Sequence, residues 1–270
     1  KLQLSVLVTT LSMITLNKHN VSAQIKDRYA TSVYSFDFQN TNSYASELRF
    51  EITIDPDAFI SKFEADIDGQ LFIGQTKEKE TAAKEYKQAK KKKENAILIS
   101  QPHKDIPNVF EIKTNVDSGS KISLNITIEQ YLQKRFNFNE LTIQILRNFS
   151  KYNITPNYDF IQFTFNVSDQ CGIYDLIIPS TSYNHKKHEN NEILPTSSKG
   201  VIINEQTTDK FNKNCQINGK INSSQSDINE LTLRYKIKGE AEDSHCLFDN
   251  KSNTFCHIIS NILGDSMMTA

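Results

Sequence analysis

A chain of 270 residues that is 37% hydrophobic, with 16 Phe and 10 Tyr, can fill a core, which argues against wholesale disorder. Its 31 Lys and Arg against 32 Asp and Glu leave a net charge of −1, so no global field draws it to nucleic acid or to an anionic membrane. With 8 Gly and 6 Pro it holds no collagen-like or proline-rich repeat, and no phosphate-cradling glycine loop of the P-loop or dinucleotide kind occurs.

The longest apolar stretch runs from Leu2 to Leu16. Gln3, serines and threonines interrupt it, making it a poor bilayer span of about 20 apolar residues. Two readings stay open over residues 1–13 and just beyond. One is the remnant of a signal peptide, with Lys1 in front and Val21-Ser22-Ala23 as a small-residue cleavage site. The other is β-strand belonging to the mature fold. Gln24 to Phe38 then reads as one long strand. Leu48, Phe50, Ile52 and Ile54 alternate with Glu47, Arg49, Glu51 and Thr53, a half-buried strand ended by Asp55-Pro56. Phe59 to Ile67 lead into Asp68-Gly69, a strong hairpin dipeptide, with Leu71 to Ile73 returning.

Residues 77–93 break the period of two. The segment lacks Gly and Pro and is rich in Lys, Glu, Ala and Gln, all good helix formers. Ala82, Ala83, Tyr86 and Ala89 share a narrow helical face whose small side chains permit close approach to a sheet. Glu78 and Glu80 at the start and Lys90 to Lys93 at the end suit the helix dipole. Alternation resumes at Ile122 to Ile128, Leu141 to Leu146, Phe160 to Val167, Ile173 to Ile178 and Leu231 to Ile237. Residues 180–226 read as long polar loops around one short strand, Val201 to Ile203. The expected fold is mainly β: an antiparallel sandwich with one conspicuous helix at about 77–93.

Ile67 to Ser100 contains an Asp-Gly hairpin at Asp68-Gly69, then Gly74 and Lys77-Glu78-Lys79. Ala83, Tyr86 and Ala89 follow on one face, and then the apolar strand Ala96 to Ile99. This run resembles the hallmark of the VIT domain, shared by vault proteins and the heavy chains of inter-alpha-trypsin inhibitor. Lys26 to Ala30, Asp57 to Ile60, Asn115 to Lys121 and Ile128 to Leu132 resemble the flanking family segments in the same order. The resemblance implies the VIT-type sandwich over residues 14–147. It further implies a β-rich continuation with long polar loops over 148–240, and over 241–270 a linker toward a von Willebrand A domain whose Asp-x-Ser-x-Ser motif is absent here.

For function, the resemblance to a heavy chain implies a secreted, non-catalytic binding module of the extracellular matrix. Its implied partners are hyaluronan and a protein, either a protease-inhibitor light chain or a matrix protein; neither nucleic acid nor a membrane span is expected. An intracellular scaffold of the vault-associated class, in the cytoplasm, and an accessory region of a larger enzyme are the alternatives. Lys84, Lys87, Lys90, Lys91, Lys92 and Lys93 are candidates for glycosaminoglycan contact, set against the plainer reading of a solvated helix face. His185-Lys186-Lys187-His188 is a poor metal pair, since two lysines between the imidazoles repel a cation. Asp55 and Asp57 read as a strand-ending turn. No catalytic residue, metal site or cofactor is expected.

Seven Asn-x-Ser/Thr acceptors occur, of which Asn148, Asn153, Asn222 and Asn250 lie in turns or loops. Asn20 is a further acceptor, and Asn125 and Asn166 fall on strands and need an outward-facing position. The four cysteines, Cys171, Cys215, Cys246 and Cys256, lack metal-site spacing, leaving disulfides or reduced buried thiols. A turn-prone sequence at 249–253 suggests a hairpin that joins Cys246 to Cys256 and leaves Cys171 for Cys215.

Overall fold

The computed structural model describes residues 14–135, 138–146, 149–178, 201–209, 213–223, 228–237, 244–249 and 254–259. The chain opens with β1 (Ile14–Lys26), β2 (Tyr29–Asn40), β3 (Ser46–Thr53), β4 (Ala58–Ile67) and the short β5 (Gln70–Ile73). Helix α1 (Lys79–Lys92) follows, and then β6 (Ile97–Ser100), β7 (Val109–Val116) and β8 (Lys121–Tyr131). β9 (Gln133–Arg135) and β10 (Phe138–Gln144) lead through a 3-10 turn, Phe149–Tyr152, to β11 (Ile154–Pro156), β12 (Phe160–Ser168) and β13 (Ile173–Ile177). β14 (Val201–Thr208), β15 (Asn214–Asn222), β16 (Glu230–Ile237), β17 (Ser244–Asp249) and β18 (Thr254–Ile259) complete the described elements.

Nine strands form the large sheet in the order β14-β15-β12-β1-β2-β8-β4-β5, with β11 beside the start of β1. Two smaller sheets, β3-β7-β6 and β13-β16-β10-β9, bury their apolar faces in the same core. This is the mainly β sandwich that alternation implies. Pairing is antiparallel except where β1 runs parallel to β11 and β12.

The reason these strands form two layers is visible in their burial. Val21, Ala23 and Ile25 of β1, Phe36 and Phe38 of β2, and Leu124 and Ile126 of β8 all point inward, at 0–2% exposure. Phe50 of β3 closes on them, its ring 5.6 Å from Phe36 and 5.4 Å from Phe38. Leu141, Leu231, Leu233 and Tyr235 of the third sheet belong to the same contiguous core. The described residues between 149 and 237 therefore share both a sheet and a core with those between 14 and 146, through β12 lying beside β1.

Three sequence readings change. Gln24 to Phe38 is two strands, split at Asp27-Arg28, whose φ angles of 47° and 67° place both in the left-handed region. Asp tolerates this conformation but Arg does not favour it, and no Gly or Asn marks the turn. Arg28 holds it instead: its side chain is buried, its guanidinium stacks over Tyr131 at 4.7 Å, and its carbonyl accepts from the Leu132 N–H at 2.8 Å. The tripeptide Val21-Ser22-Ala23 lies within β1, with Val21 and Ala23 buried, so cleavage there would cut the strand that joins β2 to β12. Residues 180–226 hold, besides a Val201 strand that extends to Thr208, the whole of β15.

Asp68-Gly69 is the hairpin its dipeptide implies, with φ of 51° and 87° between β4 and β5. The turn-prone segment after Asp249 also joins a hairpin, β17 to β18.

Candidate functional site

Helix α1 has the opening, face and ending that its sequence implies. Tyr86 is its buried residue; Ala82, Ala83 and Ala89 are half-buried on the same side. The helix ends at Lys93 in the left-handed conformation (φ 60°), and the Glu94 N–H reaches back to the Ala89 carbonyl at 2.9 Å. Glu47 on the solvent side of β3 anchors it. The Tyr86 hydroxyl and the Lys90 ammonium each donate to Glu47 Oε1 at 3.0 Å. Lys79 donates to the Gln101 carbonyl at 3.0 Å, tying the first turn to the segment after β6. Nearby, Glu111 is buried and pairs with both Arg49 and Lys113.

Partial burial pushes the Glu47 carboxyl up, but hydrogen bonds from Lys90 and Tyr86, with the charges of Lys90 and Lys113, outweigh it and hold the group low. The Tyr86 phenol is raised, by burial first and then by Glu47 and Glu111. A lowered carboxyl stabilises above its unfolded range, and that contribution is lost as pH falls through the lowered value; a raised phenol stabilises below about pH 10 and loses its contribution above it. Tyr86→Phe is therefore expected to cost about 1 kcal/mol near neutral pH, and the difference from the parent melting temperature should close in acid. A gap that persists unchanged into strong acid would show that the Glu47 bond contributes nothing.

The lysine candidates do not behave alike. Lys90 is committed to Glu47, and Lys92 lies 3.9 Å from Glu94. Lys84, Lys87 and Lys91 are exposed at i, i+3 and i+7, one outward stripe of the helix, with no acidic partner among the described residues. Lys93 is the helix cap. The arrangement can present three solvated ammonium groups to an anionic polymer.

The other nominated residues are dispersed. Asp55 Oδ1 accepts from the Asp57 N–H at 3.0 Å and Asp57 pairs with Gln133, the turn expected of them. Asn153 is exposed, at a turn with φ 58°, and Asn222 is half-buried at the end of β15. Asn20, Asn125 and Asn166 all face outward on the large sheet. Asn148, Asn250 and His185 to His188 lie outside the described residues. Among the described residues no group of His, Cys, Asp and Glu could hold a metal, and no helix is long and apolar enough to cross a membrane.

Cys171 and Cys215 are free thiols. Cys215 is a core residue on the inward face of β15, level with Val167, whereas Cys171 sits in the turn after β12, where its N–H donates to Asp169 Oδ1 at 2.9 Å. In the β17–β18 hairpin, Cys246 lies opposite His257 and Cys256 opposite Leu247, so the two cysteines are not opposed partners. Burial pushes the Cys215 thiol up to about 11, while Cys171 is raised by lesser burial and by the charges of Asp169 and Asp27. Alkylation of the native protein should label Cys171 well before Cys215; equal rates by peptide mapping would contradict this placement.

Comparison with known proteins locates the domain. Residues 16–128 match the family model described as Vault protein inter-alpha-trypsin domain. Over 137 residues the chain is 31% identical to human inter-alpha-trypsin inhibitor heavy chain H1, covering 51% of this chain and 15% of that protein. It is 29% identical over 125 residues to heavy chain H3 of Mus musculus, covering 46% of this chain and 14% of the relative. Among solved structures, a putative nutrient binding protein of Legionella pneumophila aligns at TM-score 0.45 and 8% identity, covering 84% of this chain and 68% of that one. Residues 16–128 are thus similar to a VIT domain, and the chain spans about one seventh of the length of these heavy chains.

Proposed function

We propose that this VIT-domain chain is a non-catalytic extracellular module of a heavy-chain-like protein. Its role in this reading is to bind matrix hyaluronan and to carry a protein partner, a serine protease inhibitor or a matrix protein. The similarity of residues 16–128 to the inhibitor heavy chains is the observation that carries the reading. The outward stripe of Lys84, Lys87 and Lys91 adds a chemistry suited to a polyanion, because these ammonium groups are not neutralised by neighbouring carboxylates. Attraction of this kind is screened by salt within about 10 Å at 0.1 M.

The test is binding of the chain to immobilised hyaluronan and heparin over a range of ionic strength. Replacing Lys84, Lys87 and Lys91 together by alanine should lower the salt concentration needed for elution. Replacing Lys104 alone should not, since it lies off the helix. Elution unchanged in the triple variant would remove the stripe from the reading.

One observation favours the intracellular scaffold instead: Cys171 and Cys215 are free. Peptide mapping of the native-source protein without reduction separates the two. Cysteines in disulfide linkage would support secretion; four freely alkylating thiols would favour the cytosolic reading.

A further inference from the structure

The outward face of the large sheet carries a row of uncharged polar residues level with one another. Gln24 of β1 lies opposite Asn166 of β12, Asn166 opposite Gln216 of β15, and Gln216 opposite Thr207 of β14. Adjacent strands lie about 4.8 Å apart, so one small molecule can span neighbouring carboxamides. These side chains line a cleft of about 460 Å³, with Ser168 and Asn214 beside them. That volume falls in the range of about 300–1,000 Å³ common to small-ligand sites. Gln24, Asn166 and Gln216 make no side-chain hydrogen bond to any described residue. Asp209, the acidic group at the cleft, is already engaged by the Lys213 N–H at 2.7 Å and the Asn214 amide at 2.7 Å. The cleft therefore offers neutral donors and acceptors along the row, with the Asp209 carboxylate at one end already hydrogen-bonded to its own loop, which suits hydroxyl and acetamido groups.

Asn166 stands in the middle of this row and opens the acceptor sequence Asn166-Val167-Ser168. The two-residue period of a strand puts Asn166 and Ser168 on the outward face while Val167 is buried between them. Asn125 also faces outward, yet its Oδ1 is held by the Ser35 hydroxyl at 2.7 Å. Asn166 has no such tie.

We propose that Asn166 is an N-glycan acceptor, and that the first N-acetylhexosamine of its glycan lies in this cleft, hydrogen-bonded by Gln24 and Gln216. The inference rests on the extracellular reading, because it needs passage through the secretory pathway. In the transfer, a bond forms between Asn166 Nδ2 and the anomeric carbon of a lipid-linked oligosaccharide diphosphate. The sugar–phosphate bond breaks, the lipid diphosphate leaves with its electron pair, and the amide nitrogen gives up one proton. No oxidation or reduction is involved. The sugar is attached to the extended chain before β12 enters the sheet, and folding then lays it across the carboxamide row.

The experiment maps glycopeptides of the protein from its native source and follows glycan release by an amidase from the folded and the unfolded chain. Glycans are expected at Asn166 and at the exposed Asn153. Release at Asn166 from folded protein should be slowed by about tenfold relative to Asn153, the effect of one or two neutral hydrogen bonds, and should match it after unfolding. An occupied Asn153 with a bare Asn166 overturns the inference and leaves the extracellular reading standing. Both bare overturns the two together. In protein secreted from a host cell, S168A should abolish the Asn166 glycan. Gln24→Ala with Gln216→Ala should keep occupancy but bring release to the Asn153 rate; protection that survives both changes overturns the cleft assignment. Free chitobiose that binds the cleft of a chain bare at Asn166 would assign the row to a diffusible sugar and overturn the covalent proposal.

Discussion

Phe36→Ala is expected to lower the unfolding free energy by about 3–5 kcal/mol, the range for a fully buried aromatic ring. Phe36 is 0% exposed. Its ring centroid lies 4.7 Å from His19, 5.6 Å from Phe50, 6.0 Å from Phe38 and 6.4 Å from Phe149. It therefore links β1, β2, β3 and the 3-10 turn, and deleting it removes packing from four directions at once. Neighbours on three separate elements cannot all move inward without breaking their own backbone ladders, so a cavity remains. Urea unfolding should show a lower midpoint with an unchanged slope. A loss below about 1.5 kcal/mol, typical of volume-conserving swaps, would mean that the surrounding rings collapse into the space.

Gly219→Ala is the second large effect. A Cβ at this position would meet the Phe163 ring at 2.2 and 2.7 Å and the Ile202 carbonyl oxygen at 2.8 Å. Phe163 is 2% exposed and packs 5.5 Å from the Phe165 ring, so it cannot swing away into solvent. The Ile202 carbonyl belongs to the backbone of β14, which pairs with β15 on either side of an irregularity between Ile203 and Glu205. Either the ring leaves its place or β14 shifts. Overpacking of this kind costs about 1–3 kcal/mol, occasionally more, and this site belongs at the upper end. Replacing Phe163 by leucine in the same chain should recover part of the loss; no recovery would place the strain on the Ile202 carbonyl instead.

Gly219 also explains where the sequence was opaque. β15 alternates correctly, with Cys215, Ile217 and Ile221 inward, but its central inward position is filled by the neighbour's phenyl ring rather than by its own side chain. Apolar periodicity cannot show a strand whose core volume is supplied from across the ladder. The Asp27-Arg28 turn was hidden for a different reason: a single Asp is a weak turn signal, and the buried Arg28 guanidinium packs over Tyr131, a residue distant in sequence. By contrast, Leu48 to Ile54, Ile122 to Ile128 and the Asp68-Gly69 hairpin depend on local chemistry alone and were legible. So was α1, because Tyr86 and the alanines mark its face and the charges mark its ends. The carboxamide row around Asn166 was not, since three residues from strands distant in sequence compose it.

The parallel pairing of β1 with β12 sets a timetable for folding. Ser22 lies level with Thr164, about 140 positions later in the chain. At about 5–20 residues per second of synthesis, β1 emerges on the order of ten seconds before its neighbour exists. During that interval β2 can pair with β1 on one side, while the other side of a 13-residue strand stays open. Open edges of that length recruit stray strands, and non-local parallel pairing forms slowly. Nascent chains that stall between residues 128 and 160 should accordingly depend on holdase chaperones, and a slow refolding phase should coincide with the docking of β12.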